Sequence, residues 1–244
     1  NAAHELRTPL ALIQAQLDLY HTTEHPESGD VAEETIQMVT EQNERLSKLV
    51  RTLLDMSELQ TVARNEKIEI QGLIEEVLTD LEPLAQEKNI ELLQKAQNSS
   101  DGRSDGTEEP LLVACSVNSN EKPEDELILT GSDILIYRMI YNLVENAIKY
   151  NRPSGSVTVN IHSAESAVLE VTDTGIGISP ENQEKIFDPF YRVDKSRSRA
   201  MGGAGLGLAL VSEIARQHNG QVKVTQSSEK GSTIALILPE STDY

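Results

Sequence analysis

The chain has 244 residues, 40 of them acidic and 21 basic, for a formal net charge of -19. Such a surface repels polyanions, so nucleic acid and anionic membrane faces are poor candidate partners, and a bound nucleotide would need local cations. One cysteine, Cys115, excludes an internal disulfide and any multi-cysteine zinc site.

The first helix is predicted to run to about Tyr20 or His21. Its apolar residues Leu6, Leu10, Ile13, Leu17 and Tyr20 alternate in steps of four and three. At that spacing His4 lies roughly 200° from Leu6 and faces water. Pro9 cannot donate to the carbonyl of Glu5, which bends the backbone just after the histidine. An exposed helical histidine is common by itself, and the rest of the chain gives this one its weight. His25-Pro26-Glu27-Ser28-Gly29-Asp30 reads as a turn. A second helix spans about Val31 to Leu59, with Ile36, Val39, Leu46, Leu49, Leu53 and Met56 on its seam. Two helices with one bare stripe each bury little, so pairing with a second copy into a four-helix bundle is expected: a homodimer.

After a polar linker around Thr61 to Glu66 the chain changes class. A strand (Lys67 to Ile70), a helix (Gly72 to Glu87) and a strand (Ile90 to Gln94) are predicted. Residues 98 to 126 are polar and loop-like, with one short strand possible at Leu111 to Cys115. A helix over Asp133 to Tyr150 precedes a hairpin of Val157 to His162 and Ala167 to Thr172 about Ala164-Glu165-Ser166. Helices near Pro180 to Phe187 and over Leu206 to His218 come before strands Gln221 to Thr225 and Thr233 to Leu238. The result is α+β, with a sheet on one face and helices on the other.

Four clusters carry chemistry. Asn142 and Asn146 are four apart on one helix face and can present amide oxygens to a hard cation such as Mg²⁺, with Lys149 and Tyr150 beyond them; a merely polar helix face is the plain alternative. Asp173-Thr174-Gly175-Ile176-Gly177 follows a strand, and its glycines admit a ligand close to the backbone while Asp173 can accept from an exocyclic amine. A dinucleotide fingerprint would need glycine at position 180, where Pro180 stands. The segment Phe187-Asp188-Pro189-Phe190-Tyr191-Arg192 holds both phenylalanines of the chain. It reads as the anchor of a movable loop or as a satellite core, and Arg192 could neutralise a transferring phosphoryl group. Gly202-Gly203-Ala204-Gly205-Leu206-Gly207 runs into a helix and offers free N–H groups to an anion, although glycine-rich loops are also mere linkers. Neither a Walker motif nor a protein Ser/Thr/Tyr kinase signature is present.

In this order and spacing the clusters resemble the sensor histidine kinases of bacterial two-component systems. His4 to Leu10 is similar to the phosphoacceptor box, Asn142 to Tyr150 to the N box, Asp173 to Gly177 and Gly203 to Gly207 to the two glycine boxes, and Phe187 to Phe190 to the F box. The resemblance implies a dimerisation and histidine phosphotransfer hairpin over 1–62, and over 67–244 an ATP-binding α/β sandwich of the Bergerat type shared with gyrase and Hsp90. It implies that Asn146 with Asn142 holds Mg²⁺ on ATP and that Asp173 reads adenine, supported by Thr233. It further implies that Lys149, Arg192 and the Gly202 to Gly207 lid contact phosphates. Related ATPases carry a water-activating glutamate where this chain has Asn142, which implies ATP held for transfer. His4 is then the nucleophile and Glu5 takes its proton. Thr8, in a Glu-x-x-Thr arrangement, is associated with phosphatase activity toward a phosphorylated response regulator. The parent is expected to carry a transmembrane sensor outside this chain, which would make the segment its cytoplasmic end. Ser132-Asp133 departs from the family's Gly-Asp, and 98–126 is longer than the pattern. A nucleotide-binding scaffold, an ATPase or serine kinase on the same fold, and a coiled-coil interaction protein are the rival readings.

Overall fold

The computed structural model describes residues 10–15, 17–18, 30–59, 62–95, 127–163, 166–193 and 205–239. His4, Glu5 and Thr8, the turn at 25–29, the segment 98–126 and Gly203 lie outside the described residues. Residues 10–15 and 17–18 are helical. The long helix α1 covers Asp30–Glu58, a stretch without proline or glycine. In this single chain part of its apolar surface is bare: Ile36 is 65% and Leu54 56% exposed, and on the preceding helical stretch Leu10 is 52% exposed.

The sandwich has one five-stranded sheet and three helices. In chain order the elements are β1 (Glu66–Glu69), α2 (Ile70–Glu87), β2 (Glu91–Lys95), β3 (Ile128–Gly131), α3 (Asp133–Lys149), β4 (Ser156–Ser163), β5 (Ala167–Asp173), α4 (Gly207–Gln217), β6 (Gln221–Ser228) and β7 (Gly231–Leu238). The sheet order is β2-β4-β5-β7-β6, with β2 and β4 parallel and the other neighbours antiparallel. Strand alternation sends Val157, Val159, Ile161, Leu169, Val171, Ile234, Leu236 and Leu238 into the core. The helices meet them with stripes of helical period. On α2 the stripe is Ile70, Ile74, Val77, Leu81 and Ala85, and the exposed Glu75, Glu76 and Asp80 fall on the opposite face. On α3 the stripe widens to two rows, from Leu135 and Ile136 to Ala147 and Ile148, because this helix is packed between α2 and α4.

Two helices end alike. Asn89 and Asn219 adopt left-handed φ of 55° and 56°, and the next residues turn back so that Ile90 N–H and Gly220 N–H each reach a carbonyl five residues earlier, at Ala85 and Ala215. Asparagine tolerates this conformation, and the bond closes an otherwise orphaned carbonyl.

Three expectations change. Residues 128–131 form a strand that the residue pattern alone does not reveal; β3 pairs antiparallel with β1, Ile68 opposite Leu129, as a separate two-stranded sheet. Four residues with two buried positions are too short to show alternation. The helix expected over Pro180 to Phe187 is two 3-10 turns, Pro180–Asn182 and Lys185–Phe187. β6 continues to Ser228 through an irregularity between Val224 and Gln226, which interrupts the period that would have revealed it. The linker is also docked: Leu59 is fully buried in the sandwich core, and Arg64 Nη1 donates to Leu59 O (2.9 Å) and Gln217 Oε1 (2.7 Å). Among the described residues no helix is long and apolar enough to cross a membrane.

Candidate nucleotide site

The C-terminal ends of α3 and β5 and the N-terminal end of α4 converge. Asp173 closes β5, where its Oδ1 accepts Gly175 N–H at 2.7 Å. Burial pushes its carboxyl pKa up, against the lowering effect of the Gly175 and Ser232 backbone N–H groups. A half-buried carboxylate with acceptor capacity left over is suited to a donor such as an exocyclic amine.

Gly175 and Gly177 are required by contact. A Cβ on Gly175 would lie 2.4 Å from Tyr150 O, and one on Gly177, at φ +74°, would lie 1.9 Å from Ser228 O. These approaches stitch the loop to its surroundings, since Ile176 N–H donates to Tyr150 O at 3.3 Å and Ile178 N–H to Ser227 Oγ at 2.7 Å. The loop after β5 is thereby fixed to the end of α3 and to the β6–β7 hairpin.

On α3, Asn142 donates from Nδ2 to Arg138 O (2.7 Å), which turns its Oδ1 outward. That oxygen stands where a Cβ on Gly207 would be, at 2.8 Å, so the amide and the first residue of α4 are neighbours. Asn146 follows one helical turn later. Lys149 ion-pairs with Glu145 at 2.8 Å, and Tyr150 is the C-cap residue of α3. Leu206 caps α4 without a side-chain hydrogen bond to the first turn and is itself buried, leaving backbone N–H groups there for an anion. The segment bearing both phenylalanines is bonded to the glycine loop: Phe190, at φ +66°, donates N–H to Gly205 O at 2.8 Å, and Gly205 at φ +71° admits no Cβ against Tyr191 O. Phe187 packs on the core and Tyr191 Oη donates to Asn182 Oδ1. Arg192 follows, partly buried.

Thr233 requires correction. In the β5–β7 register it faces Thr172, and the two hydroxyls are 3.0 Å apart on the sheet surface opposite the helices. Asp173 is opposite Ser232, whose backbone N–H bonds it and whose side chain is buried. Period-two alternation therefore gives the supporting position to Ser232. Ser227 is a second residue that the motifs do not flag; its Oγ holds Ile178 N–H and lies 3.1 Å from Ser232 Oγ. The Gly231-Ser232 pair after the hairpin is the signal that points to both.

The uncharged amide oxygens of Asn142 and Asn146 suit a hard divalent cation that keeps much of its water. Among the described residues no group of three His, Cys, Asp or Glu side chains is arranged to hold a metal ion.

One mixed sheet carrying helices on a single face, with a half-buried aspartate at a strand end and a glycine-bordered helix start across from an asparagine face, defines an ATP-binding sandwich of the Bergerat type. A family model described as Histidine kinase-, DNA gyrase B-, and HSP90-like ATPase matches residues 131–242, and the His Kinase A (phospho-acceptor) domain matches residues 1–62. The chain belongs to the sensor histidine kinase family. It is 35% identical over 243 residues to Sensor histidine kinase RppB of Synechocystis sp., covering 98% of this chain and 48% of that protein. It is 29% identical to Sensor histidine kinase WalK of Bacillus subtilis, covering 98% of this chain and 36% of WalK. The chain thus spans half or less of the length of these relatives. Among solved structures, Acinetobacter baumannii histidine kinase AdeS has the same fold at a TM-score of 0.67 and 20% identity, with 98% of each chain covered. Histidine kinase ThkA, solved in complex with response regulator protein TrrA, matches at a TM-score of 0.68 and 21% identity over 98% of this chain and 60% of that one.

Proposed function

We propose that this chain is a protein-histidine kinase core that transfers the γ-phosphoryl group of ATP to His4 and then to an aspartate of a response regulator. The observation that carries the reading is that α3 meets both the start of α4, through Asn142 and Gly207, and the glycine loop after half-buried Asp173, through Tyr150, in a chain matched by a phospho-acceptor domain model over residues 1–62. Its units are a phosphotransfer and dimerisation domain over 1–62 and an ATP-binding domain over 67–244.

ATP supplies the phosphoryl group, and Mg²⁺ neutralises its charge. Asp173 accepts from the adenine amine, with Ser232 N–H and Gly175 N–H holding the carboxylate in place. Asn142 and Asn146 hold the cation through their amide oxygens. The N–H groups opening α4, together with Lys149 and Arg192, bind phosphate oxygens. Gly205, Leu206 and Gly207 border them, with Gly203 proposed as a further phosphate contact, and Tyr150 borders the base. Phosphoryl transfer asks for in-line placement and charge neutralisation. One imidazole nitrogen of His4 forms the N–P bond as the bond from phosphorus to the ADP oxygen breaks, and the other nitrogen yields its proton to Glu5. No glutamate occupies position 142 to activate water, which favours transfer over hydrolysis. Thr8 orients water on the phosphorylated regulator in a second, phosphatase activity.

The bare stripe of Leu10, Ile36, Val50 and Leu54 supports a homodimer in which a second copy covers it. The solved ThkA–TrrA complex supports a response regulator as the other partner. The parent protein is proposed to carry a membrane sensor ahead of this cytoplasmic segment. Incubation with Mg-ATP labelled at the γ position tests the proposal. An acid-labile, base-stable label that disappears in His4→Gln supports it; phosphate release without protein label overturns it.

A further inference from the structure

We infer that Glu145 makes nucleotide binding at this site depend on a divalent cation, by holding Lys149 in a pair that phosphates must break. The inference rests on the reading above, that nucleotide phosphates enter beside α3.

Residues 142, 145, 146 and 149 fall on one face of α3, at spacings of three and four. Asn142 fixes where that face points, because its Oδ1 meets the first residue of α4. Glu145 and Lys149 therefore share the side of α3 that carries Asn142 and Asn146, within about 100° of arc. Their side chains are only 13% and 17% exposed, and Oε1 and Nζ are 2.8 Å apart. A pair this sheltered differs from a solvated one on an open helix. Removing either partner leaves a charge that water compensates poorly.

A polyphosphate arriving without a cation draws Lys149 toward itself and leaves the Glu145 carboxylate with less compensation, next to the added negative charge. A cation held by the amide oxygens of Asn142 and Asn146 would offset that charge. Glu145 is thus a positioning residue: it keeps Lys149 oriented in the free protein and penalises metal-free nucleotide.

Calorimetric titration of the whole chain with ADP, in Mg²⁺ and in EDTA, tests this, with thermal melting as the check on folding. Glu145→Gln should tighten metal-free ADP binding about fivefold and change Mg-ADP binding less than twofold. Lys149→Met should remove that gain when combined with Glu145→Gln, since position 149 then has no cation to release to the phosphates. Metal-free affinity within twofold of wild type in Glu145→Gln overturns the inference, as does an equal gain with and without Mg²⁺. A wild-type chain that binds no Mg-ADP overturns the nucleotide reading itself.

Discussion

Gly207→Ala probes the contact that joins α3 to α4. The new Cβ would meet Asn142 Oδ1 at 2.8 Å, while the next nearest atoms, Asn142 Cγ and Cβ, are 3.7 Å and 4.0 Å away. The overlap is thus with one terminal oxygen, and φ at Gly207 is not left-handed. Restoring van der Waals distance requires that oxygen to retreat by about 0.6 Å. Asn142 is tethered by its 2.7 Å bond to Arg138 O, so the retreat strains a hydrogen bond worth roughly 0.5–1.5 kcal/mol. Alanine in a helix recovers up to about 1 kcal/mol over glycine. The two effects nearly cancel, and the variant should melt within about 4 °C of wild type. The amide oxygen proposed to hold Mg²⁺, however, is displaced. Mg-ADP affinity should fall about 5–10-fold, roughly 1–1.4 kcal/mol, while metal-free binding changes little. Calorimetry in Mg²⁺ and in EDTA measures both. Unchanged Mg-ADP affinity in a folded Gly207→Ala variant refutes the placement of Asn142 at the metal.

Gly177→Ala should behave oppositely: a Cβ 1.9 Å from backbone at φ +74° combines steric overlap with a left-handed penalty of about 1–2 kcal/mol, and chemical denaturation should show a loss of at least that size. Asp173→Asn removes the charge that burial disfavours, so its melting temperature should hold or rise while ADP binding drops about 10–150-fold, the loss of one charge-assisted hydrogen bond of roughly 1.5–3 kcal/mol; binding within threefold of wild type would contradict the adenine role. His218 is buried, accepts Ser132 N–H at Nε2 and donates from Nδ1 to Ile214 O. Burial, reinforced by the Arg64 guanidinium and opposed by the Ile214 bond, holds its pKa below the ordinary value. The unfolded chain then binds the proton more readily, so stability is full above about pH 6.5 and falls as pH drops toward the depressed native value. His218→Gln should flatten that slope between about pH 7 and 5, read from melting curves. Arg64→Ala removes the bonds to Leu59 O and Gln217, and limited proteolysis between residues 59 and 66 should quicken while the sandwich remains resistant.

The sheet is legible in the sequence where strands alternate over six or more residues. β4, β5 and most of β7 declare themselves because one face is buried against helices, and α2, α3 and α4 because each presents an apolar stripe of helical period. What escapes detection is short or local. β3 has two inward residues, too few to establish a period, and exists because β1 lies across from it in space. The 3-10 turns at Pro180 and Lys185 take their conformation from bonds among Ser179, Asn182 and Tyr191 and from the link to the glycine loop. Motifs point to the elements that border the candidate site. They do not resolve which side of β7 faces Asp173: Ser232 and Thr233 are both hydroxyl residues beside Gly231, and only the register distinguishes them. Nor do residue types foretell that Lys149 is paired with Glu145, or that the segment after Leu59 is clamped by Arg64, since both depend on three-dimensional neighbours.

The central claim is that a nucleotide held by Asp173, Asn142 and Asn146 phosphorylates the histidine of the same protein. Peptide mapping by mass spectrometry under neutral conditions, after incubation with Mg-ATP, tests it directly. The account predicts a phosphoryl group on the peptide containing His4 in the wild-type chain and none there in Asp173→Asn or Asn146→Asp. Phosphate on serine or threonine instead, or a modified His4 that persists when both site variants have lost nucleotide binding, would contradict it.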